Sequence, residues 1–335
     1  MATVTDRSGN NPVDRKYASP NRTVGMASAM SGLTPAYPGE FVLALDTGER
    51  FMGLSGTTGA WGKKNDVRGA TSFSGGGFPD ATTTGPTVGT VFTNAFGEFN
   101  TTSNGQIVEK LNLDGYILVN HNNVTIQDCN IFTSNPGPGA LTDILVTVNR
   151  TGTTIRRCKI VSGWALAGIL LDENNANTVV EFCNISNCEN GITIAGSSIN
   201  IHDNYIHDLA REPGHVDPHF DGMQGFPGYS NWTINHNTIQ GKDTSSIILG
   251  GNTGPIATHT VSITNNLLLH QGPTAYGVQC KFTDGLTVTG NRISVEVGPP
   301  QYPIFPIDLV GCVTLSTAGN VVHETGAPIT PSVSP

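Results

Sequence analysis

Four short stretches decide the fold: VTIQDCNI (124–131), TTIRRCKI (153–160), TVVEFCNI (178–185) and INIHDNYI (199–206). Each is a β-branched run, then a Cys or Asn, one further residue and another aliphatic. The phrase continues as WTINHNTI (232–239), VSITNNLL (261–268), LTVTGNRI (286–293) and, in weaker form, LSTAGNVV (315–322). The pivots are Cys129, Cys158, Cys183, Asn204, Asn237, Asn266, Asn291 and Asn320, spaced by 29, 25, 21, 33, 29, 25 and 29 residues. A fixed period of this size marks a repeat architecture.

A second strand recurs in the same register: DILVTV, AGILLDE, NGITIA, DGMQGF, SSIILGG, YGVQCKF and PIDLVG. Ile169 and Leu171, Ile192 and Ile194, Val278 and Cys280, Ile307 and Leu309 share one parity, the alternation of half-buried strands. Several strands and their bends fill each period, leaving no room for a helix. A unit of this size cannot bury its own apolar face, so successive units must stack. The expected fold is all-β: a right-handed parallel β-helix of about eight coils over residues 105–323, with a C-terminal tail at 324–335. At the pivots, Asn suits the left-handed conformation of a tight bend and can bond its stacked neighbour.

Composition agrees. Of 335 residues 41 are Gly and 20 Pro, and only 13% are charged, against about 25% in an ordinary globular domain. The net charge of −9 argues against a duplex nucleic-acid partner, because phosphate contacts need a basic face. The longest apolar run, Trp164 to Leu171, is far short of the ~20 residues of a membrane helix, so no membrane insertion is expected. The opening MATVTDRSGNNPVDRKY has no apolar leader core. Six cysteines (129, 158, 183, 188, 280, 312) read as buried thiols, since three in one column cannot all pair; Cys183 with Cys188 or Cys158 is the one disulfide the spacing leaves open.

The N-terminal third differs. Residues 1–34 read as an extended polar arm, and 35–64 as a β-hairpin segment for attachment and oligomerisation, two apolar strands around Asp46-Thr47-Gly48-Glu49. Residues 65–104 read as a Gly/Thr/Ser-rich linker and β-helix cap. A lone hairpin is marginal in water, so it must dock on something.

The repeat, with the run LNLDGYILVNHNNVTIQDCNI as its opening coil, resembles the pectate-lyase-like superfamily of parallel β-helix proteins. That resemblance implies the fold, and carbohydrate as ligand. The hairpin resembles segments of bacteriophage fibre, spike and head-decoration proteins at Gly39-Glu40, Asp46-Thr47, Phe51, Gly56-Thr57 and Trp61. It implies a virion protein assembled in the host cytoplasm, a homotrimer, and other virion proteins as partners; secretion is the alternative.

Chemistry is concentrated at 205–226. The largest gap between pivots holds His207, Asp208, Arg211, Glu212, His215, Asp217, His219 and Asp221, and loops on a rigid solenoid are where functional groups lie. The portion His219-Phe220-Asp221-Gly222-Met223-Gln224 resembles a His-x-Asp-Gly-x-Gln signature of the same β-helix relatives, to which no single activity attaches. Candidate catalytic residues are His219, Asp221, Asp217, His207 and Lys281. The bland alternative makes Asp221-Gly222 a turn, in line with Asn190-Gly191. No cofactor is expected. His215, Asp217 and His219 are where a divalent cation would bind, but calcium needs a carboxylate cluster and zinc a further ligand.

Outward parity on the shared sheet selects Asp172, Thr193, Gln224, Gln279, Lys281 and Asp308. With Arg211, Tyr276 and Phe226, residues from this set (Gln224, Gln279, Asp172 and Asp308) form the expected substrate-binding group, and Phe220, Tyr229, Trp232 and Phe282 are further aromatics for stacking. The three functional expectations are a virion surface protein, tailspike-like or a capsid decoration, that binds host-surface polysaccharide or stabilises the particle; a polysaccharide lyase or glycoside hydrolase; and a purely structural β-helix with a vestigial groove. A lyase needs a base such as Lys281, Arg211 or a His; a hydrolase needs two carboxyls from Asp208, Asp217 and Asp221.

Overall fold

In the computed structural model, residues 77–133, 144–211, 219–251, 258–295 and 303–335 are described, together with the backbone of five strands within the first 63 residues. The chain forms two units, Met1–Ser74 and Gly75–Pro335. In the first, Val4–Asp6, Arg22–Val24, Phe41–Ala44, Arg50–Gly53 and Trp61–Lys63 make one sheet in chain order. The expected hairpin is present as the antiparallel pair Phe41↔Met52, Val42↔Phe51, Leu43↔Arg50. The stretch read as an unpaired arm supplies two strands, Val4–Asp6 against Arg22–Val24; three-residue polar strands carry too little alternation to be read in advance.

The second unit is a parallel β-helix with three faces. The first face is an eight-stranded sheet comprising Ile107–Glu109, Thr125–Gln127, Thr154–Arg156, Ala176–Glu181, Ser197–His202, Ser230–Asn235, Thr258–Thr264 and Thr283–Thr289. Each chain segment then passes its pivot onto the second face, where Asn130↔Lys159, Lys159↔Asn184, Asn184↔Tyr205 and Tyr205↔Thr238 follow in register. It bends again onto the third face: Ile117, Val146, Ile169, Ile192, Met223, Ile247, Val278 and Ile307 stack in one column. The stack is longer than 105–323 at both ends. Thr93–Asn100 pairs with Leu111–Asn112 onward over eight residues, and Ser332–Ser334 lies along Asp308–Val310.

Inward columns make the core. Ile126, Ile155, Val180, Ile201, Ile234, Ile263 and Val288 are in register on the first face and fully buried. Each such side chain contributes roughly 1.5–3 kcal/mol of burial, and each depends on the coil above and below it.

The pivots behave differently from expectation in one respect. The left-handed residue is the one before the pivot: Asp128, Arg157, Phe182, Asp203, His236 and Asn265 all have φ between 49° and 58°. The pivot itself is extended and points inward, because its amide is needed there. Asn204 Nδ2 donates to Val180 O (2.8 Å) and His202 O (2.9 Å), while Asn237 Oδ1 accepts Asn204 N at 3.0 Å. The pattern passes from Asn237 to Asn266, Asn291 and Asn320. All five side chains are buried.

In the first coils cysteine takes over the donor role. Cys183 Sγ lies 3.7 Å from Ile155 O and 3.4 Å from Glu181 O, and Cys158 and Cys129 reach the corresponding carbonyls. The columns meet where Cys183 N donates to Asn204 Oδ1 at 2.9 Å. All six cysteines are free and buried. Burial pushes the Cys188 thiol up to about 12 and holds Cys158 and Cys280 well above their ordinary range, so these thiols are inert.

Candidate functional site

The corner between the second and third faces is built by glycine. A Cβ on Gly191 would lie 2.5 Å from Ile206 Cγ2, on Gly222 2.1 Å from Ile239 Cγ2, and on Gly277 2.9 Å from Ile293 Cγ2. These positions therefore face the core, as do the residues that follow them, Ile192, Met223 and Val278. Two consecutive inward residues break the strand alternation, so the residues on either side both turn away from the core, although Asn190, Thr193, Asp221, Ser245 and Gln279 are themselves covered.

Two outward rows result. In the first, Asn190, Asp221, Ser245, Tyr276 and Phe305 occupy equivalent positions on successive coils. The second is Thr193, Gln224, Ile248, Gln279 and Asp308, paired in that order. Continuing each strand by two residues gives a third row in which Asp172, Phe226 and Lys281 stand. Gln224 and Gln279 are thus two coils apart, roughly 10 Å.

Asp221 lies in a strand, Asp221–Gly225, and not in a turn. Its side chain is 2% exposed. Thr244 Oγ1 donates to its Oδ1 at 2.8 Å, and its N–H donates to Asn190 Oδ1 at 3.2 Å. Burial pushes the carboxyl up to about 6; the Thr244 and Ser245 hydroxyls and His219 oppose the shift, and Glu189 adds to it. Glu189 is itself buried, with Oε1 accepting His219 N at 2.9 Å and Oε2 lying 3.1 Å from Arg211 Nε. Asn190 Nδ2 donates to Gln224 Oε1 at 2.9 Å, tying the two rows together. Sequence reading missed Glu189, Asn190 and Thr244. The visible signal was the Glu189-Asn190 pair one coil before Phe220-Asp221, in register with it.

Toward the C-terminal end the rows become aromatic and polar. Tyr276 and Phe305 stack with ring centroids 5.8 Å apart, and Phe305 is 42% exposed. Beside them Gln279 Nε2 donates to Asp308 Oδ2 at 2.8 Å.

Other candidates lie elsewhere. His207 is on the second face, its Nε2 2.9 Å from Asn184 Oδ1 and its ring stacked on Tyr205 at 4.1 Å. His215 and Asp217 lie outside the described residues. Trp232 is removed from the stacking aromatics: it is 1% exposed, fills the core slot against Gly225 and donates Nε1–H to Gly196 O at 2.6 Å. Phe220 is almost buried, with Lys242 Nζ 4.5 Å from its ring centre. Among the described residues no group of three or more His, Cys, Asp or Glu could hold a metal ion. No helix among them is long and apolar enough to cross a membrane.

The stacked parallel coils define the class, and the family comparison agrees: the right-handed β-helix region model matches residues 95–268, just over half of the chain. The chain belongs to the right-handed β-helix family. Among solved structures it is similar to a pectin methylesterase from Yersinia enterocolitica, 10% identical, covering 73% of this chain and 89% of that one with a TM-score of 0.30. No curated protein matches its sequence.

Proposed function

We propose that this chain is a glycan-binding surface protein of a bacteriophage particle. The third face holds host-surface polysaccharide along the helix axis. The N-terminal strands join the chain to two further copies and to other particle proteins, and the protein is carried on the virion after assembly in the host cytoplasm. The glycan reading is carried by one observation: the stacked Tyr276–Phe305 pair stands beside the bonded Gln279–Asp308 pair on adjacent coils. Aromatic faces and a few fixed polar groups are what a sugar ring requires, one for its C–H face and the other for its hydroxyls. The particle reading is supported by the hairpin at Phe41–Ala44 and Arg50–Gly53, at the place where the sequence resembles phage segments. Mass spectrometry of purified particles, with sedimentation of the isolated chain, tests it. The chain in fixed proportion on particles and as a trimer supports it; a monomer absent from every particle overturns it.

A depolymerase is the second reading, favoured by the Asp221 carboxyl raised to about 6, a range suited to a general acid. Hydrolysis would draw its second carboxyl from Glu189, and elimination its base from Lys281. Reducing-end and unsaturated-product assays on host polysaccharide decide it: turnover abolished by Asp221→Asn supports an enzyme, and no product from any glycan overturns one.

A further inference from the structure

The glycan-binding reading can be taken one step further, to the charge class of the sugar. We infer that the third-face groove selects an uncharged, hydroxyl-rich glycan and rejects uronate chains; this rests on the reading that the groove binds glycan at all.

The argument is one of donors and acceptors. Gln279, 4% exposed, gives one Nε2 hydrogen to Asp308 Oδ2, so what this pair turns toward a ligand is chiefly the half-buried Asp308 carboxylate, an acceptor. Gln224 has its Oε1 occupied by Asn190 Nδ2, which leaves an amide donor facing out. Between them stands Ile248, in register with both, an apolar floor about one coil wide. Sugar hydroxyls both donate and accept, so they can pair with the Asp308 carboxylate and with the Gln224 amide alike. A uronate carboxylate only accepts, and it would meet Asp308 with like charge.

The ionisable groups of the described groove make the same point. Asp221, Asp308 and Asp172 stand in the three rows, and Lys281 stands in the row of Asp172. Arg211 lies 3.1 Å from the buried Glu189, and Lys242 donates to Leu209 O at 3.2 Å beneath Phe220. A site for polyanionic chains would instead line its walls with cations. Here the aromatic pair supplies contact area without charge, and affinity should depend little on salt.

The test uses the full chain and matched pairs of probes: gluco-, manno- and galacto-oligosaccharides against oligoglucuronate, oligomannuronate and oligogalacturonate, by titration calorimetry at low and high salt. The expected result is binding of a neutral member, with its uronate counterpart weaker by about tenfold or more and little salt dependence. Tyr276→Ala and Gln279→Ala, each checked for an unchanged unfolding midpoint, should each weaken binding by about tenfold. Should Tyr276→Ala fail to fold, Gln279→Ala and Asp308→Asn carry the test, the latter narrowing the gap between neutral and uronate sugars. A uronate that binds as well as or better than its neutral counterpart, with binding still lost on Gln279→Ala, overturns the charge inference and leaves the groove reading standing. No binding in either class, or binding indifferent to all three substitutions, overturns both.

Discussion

Replacing Asp221 by Asn should make the protein more stable at neutral pH. Burial at 2% exposure raises the carboxyl from an ordinary 3.8 to about 6. The folded chain therefore holds this proton more tightly than the unfolded chain does. The sign follows: stability is fully present below about pH 4, falls as pH rises through 6, and levels off above it. Ionising a carboxyl shifted this far costs about 3 kcal/mol by pH 7. Asn keeps an oxygen for the Thr244 hydroxyl and cannot ionise. Asp128 acts in the opposite direction, because hydrogen bonding to Arg157 holds its carboxyl well below the usual range; its contribution is lost only in stronger acid. Between pH 4 and 7 the difference between the two proteins isolates Asp221. Urea unfolding followed by tryptophan fluorescence in steps across that range should show the variant's advantage growing from near zero to about 3 kcal/mol. Parallel curves, or a wild type that gains on the variant as pH rises, would refute the burial argument.

Gly222→Ala should destabilise the chain by about 1–3 kcal/mol or more, since the new methyl would lie 2.1 Å from Ile239 Cγ2 and 2.6 Å from Ser246 O; Gly77→Ala, with nothing within 4 Å, is the neutral control in the same thermal melts. Asn237→Leu removes the donor to Ile201 O and the acceptor of Asn204 N, a loss of about 3 kcal/mol. Asn237→Cys should lose clearly less, because a thiol already fills the donor role at Cys183; equal losses would contradict that equivalence. Glu189→Gln takes an anion away from Asp221, so the Asp221 carboxyl should titrate at lower pH by carbon NMR, and an unchanged titration would contradict the coupling.

The coil stack was legible because its cause is local and repeated. A β-branched run, an amide or thiol, and an aliphatic recur once per coil, and each element of the phrase has one structural job. The pivot's left-handed backbone was misplaced by one residue. Composition could not show it, since Asp128, Arg157, Phe182, Asp203, His236 and Asn265 share no chemistry. What they share is the position just before a side chain that must turn inward. The site was partly legible: parity alone put Gln224, Gln279 and Asp308 on one outward row, and the register agrees. For Glu189 the register with Phe220 was legible but its partners were not, because Arg211 and His219 come from the following coil and only stacking brings them within 3.1 Å and 2.9 Å. Trp232 was misread for a related reason. An exposed-looking aromatic in sequence fills the space that Gly225 leaves on the facing strand.

The glycine corner explains why the polar groups gather on the third face. On a regular strand outward residues recur at every second position, and a row of them makes a ridge with the core directly beneath. Here Gly191, Gly222 and Gly277 let the backbone close onto Ile206, Ile239 and Ile293, so that two neighbours in sequence face inward together. Outward rows then stand three residues apart instead of two. Those rows run parallel to the helix axis and cross one coil after another. Each coil offers one residue per row, so the side-chain chemistry changes along the stack, from the buried acid at Asp221 to the aromatic pair at Tyr276 and Phe305.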